Sequence, residues 1–136
     1  MKIIALKGGD SCGKSSTLNL VYDDLIVNGA TVINPKIILG NSINRDFECL
    51  LEYLIHKIAF FTMGDEARPT ISAIRKYDLL KIDFLILATN DKFTIPTIEI
   101  LKHLNVIIPK TVAAPSTIAN DLVANTSDCS IIVSHI

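Results

Sequence analysis

Residues Gly8-Gly9-Asp10-Ser11-Cys12-Gly13-Lys14-Ser15 have the spacing G-x-x-x-x-G-K-[ST], and their types suit the binding of a polyphosphate. Such a ligand carries several negative charges that must be stabilised at close range without a steric clash. Glycines at 8 and 13 let backbone N–H groups approach and line a concave anion nest. A helix starting near Lys14 adds free N–H groups and the positive end of its dipole. Lys14 supplies a full charge for the outer phosphates, the Ser15 hydroxyl suits Mg²⁺, and Ser16 is placed for the innermost phosphate. Cys12 lies inside the loop, where backbone matters more than side chain.

The elements around this run fit its chemistry. Residues 2–7 are apolar and read as a strand, and 8–13 read as a loop. Residues 14–28 carry Leu18, Val21, Leu25 and Ile26 at helical spacing, and Gly29 is a natural stop. A phosphate-binding run between a strand and a helix resembles the P-loop NTPase superfamily, closely over residues 2–29 and in pattern beyond. The resemblance implies a three-layer α/β sandwich, Mg²⁺-dependent binding of ATP or GTP through residues 8–16, and phosphoanhydride chemistry. It also implies a second motif, an Asp at the end of an apolar strand that holds Mg²⁺.

Residues 58–63 followed by Gly64-Asp65 supply such a strand and acid. Ligands of open α/β sheets bind at the carboxyl ends of strands, where Asp65 falls. The expected metal ligands are therefore Ser15 and Asp65, and the expected catalytic residues Lys14, Asp65 and Glu66, with Glu66 orienting water. Asp91, after a later strand, competes for the acid's role. Asp83 precedes that strand and belongs at the opposite edge.

Beyond the first helix, residues 31–33 read as a short strand ended by Asn34-Pro35, and 36–44 as a loop. Residues 46–57 fit both a helix and an alternating strand, and we take a hairpin with strands near 46–53 and 57–63. Helices are expected over 67–80, 94–104 and 116–125, the last opening on a Ser116 cap, and strands over 83–89, 105–110 and 130–135. The alternation predicts one α/β domain over 1–136, with a mostly parallel sheet of about five or six strands and one antiparallel strand near 46–53. A hairpin there resembles the small GTPase layout. The loop 40–46 would then be a nucleotide-sensing segment, with Ser42 or Asn44 near Mg²⁺ and Arg45 near phosphate. The guanine-reading N-K-x-D of that family is absent: the corresponding places read Asn90-Asp91-Lys92 and Pro109-Lys110-Thr111. The base therefore stays open between adenine and guanine.

Composition narrows the classes. Thirteen Lys+Arg against 14 Asp+Glu give a net charge of −1, which provides no footprint for duplex DNA or an anionic membrane. Hydrophobic residues make up 49%, in short β-branched bursts rather than a run long enough to span a bilayer. Cys12, Cys49 and Cys129 form neither a disulfide framework nor a metal pair, and with no export signal a cytoplasmic setting is the simplest expectation. His56, His103 and His135 are scattered. The expected function is Mg²⁺-dependent NTP binding with slow hydrolysis of the β–γ bond. A small-molecule or nucleotide kinase is the alternative, because the loop Gly8-x-Asp10-x-x-Gly13-Lys14-Ser15-Ser16 is similar to that of thymidylate kinases. Their D-R-[YFH] acceptor motif is absent, and Arg45, Arg68 and Arg75 make no clustered lid. A third reading is a non-catalytic nucleotide-binding module whose protein partner, or second copy, completes the site.

Overall fold

Among the described residues, the β-branched bursts become six strands of one mixed sheet, and the amphipathic runs between them become four helices that cover it. The computed structural model describes all 136 residues except Ser42 and Asn44. The order along the chain is β1 (Lys2–Gly8), α1 (Lys14–Val27), β2 (Thr31–Ile38), β3 (Phe47–Tyr53), β4 (His56–Phe61), α2 (Ala67–Leu79), β5 (Phe84–Asn90), α3 (Ile95–Leu101), β6 (Leu104–Pro109) and α4 (Ile118–Val133). Across the sheet the strands lie β2-β3-β4-β5-β1-β6.

β1 pairs in parallel with β5 and β6, and β4 in parallel with β5. β3 is antiparallel to both β2 and β4, so it alone runs against the rest. The hairpin expected over 46–63 is therefore present. Its register pairs Glu48 with Phe61 and Tyr53 with His56, and Leu54 at the turn has φ 59°.

Alternating side chains divide the strands between two cores. Ile4, Leu6, Leu51, Ile58, Phe60, Ile86 and Ala88 pack with Leu18, Val21 and Leu25 of α1 and Cys129 and Ile132 of α4. Ile3, Ala5, Ala59, Leu85 and Leu87 pack with Ala73, Ile74 and Tyr77 of α2 and Ile100 of α3. Each large side chain buried in these layers contributes about 1.5–3 kcal/mol. Two cores on opposite faces make a three-layer α/β arrangement. Among the described residues, no helix is long and apolar enough to cross a membrane.

Four expectations are corrected. The strand read as ending at Asn34-Pro35 continues to Ile38. It is an edge strand, where Pro needs no ladder N–H, and its register shifts between Val32 and Asn34 and between Asn34 and Ile37. The expected strand over 130–135 does not form, because residues 118–133 are one helix. Ala124, Asp128, Cys129 and Ile132 fall on its buried face, and packing on α1 overrides the β-branched preference of Ile131 to Val133. Its cap is Thr117, whose Oγ1 accepts from the Asn120 N–H at 3.1 Å, rather than Ser116. The helix expected over 94–104 ends at Leu101, and Leu104 opens β6.

Candidate functional site

The parallel strands β1, β4, β5 and β6 end on one edge of the sheet, and the Gly-rich run lies there between β1 and α1. Gly13 is the residue before α1, at φ 95° and ψ 18°, a left-handed conformation that glycine adopts without strain. A Cβ at Gly8 would lie 2.7 Å from Cys12 Sγ and 2.9 Å from Lys110 Cβ, so the close turn requires glycine there too. Lys14 is 7% exposed, and its ammonium donates to the carbonyls of Gly8 (3.1 Å) and Gly9 (2.5 Å), 3.7 Å from Cys12 Sγ. The cation is thus held at the centre of the loop.

A cleft of about 250 Å³ opens over the loop, lined by Ser11 to Ser16 together with Asp46, Thr62, Gly64 and Asp65. Asp46 belongs to it because β3 is antiparallel: the start of β3 lies on the edge where β4 ends. The Ser15 hydroxyl donates to Asp46 Oδ1, and Thr62 Oγ1 donates to the same oxygen at 3.3 Å. Asp46 is 4% exposed. Burial pushes its carboxyl above the usual aspartate range. The Ser15 hydrogen bond opposes that shift, and the nearby charge of Asp65 adds to it. Gly64 lets the chain leave β4 against β5, since a Cβ would fall 2.6 Å from Ala88 C and O.

The other expected residues are placed as follows. Asp65 is exposed and lines the cleft. Glu66 is the cap residue of α2, is exposed and does not line the cleft, so the structure does not bring it to the place expected of a water-orienting group. Asp10 points to the rim, where Asn90 Nδ2 (2.5 Å) and Lys92 Nζ (3.4 Å) donate to it. The Asn90 hydrogen bond, then Lys92, holds its carboxyl below the usual range. Asp91 is exposed and gives its N–H to the Gly8 carbonyl at 3.1 Å. Asp83 lies at the opposite edge, as expected, and accepts the Lys57 N–H. Arg45 is exposed and is not among the residues lining the cleft, while Ser42 and Asn44 lie outside the described residues. β5 lies between β4 and β1, so the strand leading to Asp65 is not a neighbour of the strand that leads into the Gly-rich loop.

A second cavity of about 190 Å³ lies on the other side of the loop. It shares Ser11, Cys12, Gly13 and Ser16 and adds the segment 110–113, Ser116, Asp121, Ala124 and Asn125. Behind it, Lys110 Nζ pairs with Asp128 Oδ2 at 3.0 Å, both side chains 1% exposed. Thr111 completes that carboxylate through its N–H (2.8 Å) and hydroxyl (2.7 Å). Asn125 Oδ1 accepts from Thr17 Oγ1 at 3.2 Å, tying α4 to α1.

At the Asp46 end of the first cleft the Ser15 hydroxyl and the carboxylates of Asp46 and Asp65 are all oxygen ligands, the kind a hard cation such as Mg²⁺ takes. Among the described residues, no group of three or more His, Cys, Asp or Glu side chains gathers to hold a metal by itself. Sequence reasoning did not find Asp46, Thr62, Lys110 or Asn125. Comparison with protein-family models, with curated proteins and with solved structures returned no match.

Proposed function

We propose that this chain is a P-loop NTPase-like protein that binds a Mg²⁺-nucleoside triphosphate, ATP or GTP, and hydrolyses its β–γ phosphoanhydride slowly. One observation supports this reading above the others. The loop 8–16, the start of α1 and the carboxylates of Asp46 and Asp65 all face one cleft at the carboxyl edge of the sheet. Backbone N–H groups of the loop and of the first turn of α1 would hold the phosphates. Lys14 would exchange the carbonyls of Gly8 and Gly9 for phosphate oxygens and offset their charge. Ser15 and Asp46 would hold Mg²⁺, with Asp65 directly or through water. When bound, the cation neutralises charge developing on the phosphate oxygens. The second cavity, which shares Ser11 to Gly13 and Ser16 with the first, would take the nucleoside. With Glu66 away from the cleft, Asp65 is the exposed carboxylate left to orient water.

Isothermal titration with a panel of nucleoside di- and triphosphates, with and without Mg²⁺, tests the reading. Mg²⁺-dependent triphosphate binding that Lys14→Ala abolishes is the expected result, and binding unchanged in that variant refutes it. Asp46→Asn should weaken the Mg²⁺ dependence more than Asp65→Asn does. Phosphate release from the nucleotide alone fits a hydrolase. Release that needs an added acceptor identifies a kinase, and tight binding without turnover identifies a binding module.

A further inference from the structure

Asp46 is the acid nearest Ser15, yet the backbone leading to it is strained. Arg45, the residue before it, has φ 58°, a left-handed conformation that side chains disfavour. Among the described residues, one side chain bonds that peptide. Asn19, one turn along α1 from Ser15 and 6% exposed, donates from Nδ2 to the Ser15 carbonyl (2.9 Å) and to the Arg45 carbonyl (3.1 Å). The other end of the amide, Oδ1, accepts from Lys36 Nζ at 2.9 Å. An ammonium can only donate, so Lys36 fixes which end of the amide faces the two carbonyls. Lys36 is itself held, with Nζ 4.1 Å from the ring centre of Tyr22 and 4.3 Å from that of Phe47. On the far side of Asp46, its own carbonyl accepts the Leu39 N–H at 3.0 Å.

We propose that Asn19 and Lys36 are positioning residues that set the carboxylate of Asp46 against Ser15 for metal binding, an inference that rests on the function proposed above. Lys36 orients the Asn19 amide. The amide ties the first turn of α1 to the peptide before Asp46. The edge strand β2 is thereby coupled to the metal-binding end of the cleft, although none of its residues lines that cleft. Apart from the Asn19 bond to the Ser15 carbonyl, neither side chain hydrogen-bonds the loop among the described residues, so their loss should act on the cation and spare the phosphate grip of the loop.

Three variants test this. Asn19→Asp keeps an acceptor for Lys36 but removes the donor to the two carbonyls. Lys36→Met keeps an apolar stem over Tyr22 and Phe47 and removes the donor. Lys36→Arg restores one. In titrations of the nucleotide that wild type binds, Asn19→Asp should raise the Mg²⁺ concentration for half-maximal effect by about 10-fold or more, in line with losses at residues that orient metal ligands. Affinity in excess EDTA should change less than about 2-fold, since the phosphate contacts are intact. Lys36→Met should shift the Mg²⁺ requirement the same way, and Lys36→Arg should recover it. An equal loss with and without Mg²⁺, or an unchanged Mg²⁺ requirement in a folded variant, overturns the proposal. Backbone amide resonances provide a separate readout without nucleotide. Those of Arg45 and Asp46 should move in Lys36→Met while those of α3 stay in place, and unmoved Arg45 and Asp46 signals overturn the brace. If wild type binds no nucleotide, the functional reading fails, and the amide shifts still decide whether the brace exists.

Discussion

Replacing Lys110 with Met should be among the most damaging single changes in the chain. The Lys110–Asp128 pair is dry on both sides, with 1% of each side chain exposed. In the variant, the Asp128 carboxylate keeps the Thr111 N–H and hydroxyl but loses its only salt-bridge partner among the described residues. Stranding a buried charge in this way costs about 3–5 kcal/mol, against about 5–15 kcal/mol for the total stability of a domain. With a urea slope near 2 kcal/mol per M, the midpoint should fall by roughly 2 M. Asp128→Leu should cost a similar amount by stranding the ammonium. The double variant Lys110→Met/Asp128→Leu should be more stable than either single one, because no charge is left unpaired. The assay is urea unfolding of all four proteins as a double-mutant cycle. A loss below about 1 kcal/mol for Lys110→Met is what an exposed pair gives, and it would refute the argument from desolvation. The pair also bears on the Gly-rich loop. Lys110 gives its N–H to the Lys7 carbonyl at 2.7 Å, and its Cε lies 3.5 Å from where a Cβ on Gly13 would be.

Two further outcomes follow from other parts of the fold. Gly64→Ala should destabilise by about 1–3 kcal/mol, because the added methyl meets the main chain of Ala88 and Thr89, which cannot yield as a flexible side chain would. A thermal midpoint equal to wild type would show that the approach of β4 to β5 is looser than this. The Arg75 hydrogen bond, then that of Lys102, holds Glu99 below its ordinary value of 4.5. A depressed folded-state value contributes stability that is present above the unfolded value and is lost as pH falls through the folded one. The difference in urea midpoint between wild type and Arg75→Leu should therefore be larger at pH 7 than at pH 3, and a constant difference would rule out the ion pair as its source.

How far the fold could be read in advance depended on whether local pattern and tertiary packing agreed. In β1, β5 and β6 they agree: short apolar bursts bounded by polar turns become the parallel centre of the sheet. At Ser130 to His135 they conflict. Ile131, Ile132 and Val133 favour a strand, yet among the described residues no strand pairs beyond β2 or β6. The segment instead adds Ile132 to a helical face, where the side chain is completely buried against α1. β2 erred the other way, because Pro35 reads as a stop and yet is tolerated on an edge strand.

The strand–loop–helix placement of the Gly-rich run was legible because its pattern is local. Gly8, Gly13, Lys14 and Ser15 are close in sequence, and the strand and helix they join are adjacent. Asp46 was hidden by direction. The rule that ligands gather at the carboxyl ends of strands selects residues that follow a strand, which led to Asp65 and Asp91. It fails where one strand runs backwards, because the residue that precedes that strand then reaches the same edge. Once 46–53 is read as antiparallel to the next strand, the pairing of Glu48 with Phe61 puts Asp46 beside Thr62. From there the Ser15 contact follows from the position of α1 over that end of the sheet. An antiparallel hairpin in an otherwise parallel sheet should therefore be searched at both of its ends. Here the acid that begins one strand is buried against the Ser15 hydroxyl, while the acid that follows its partner stays exposed at the mouth.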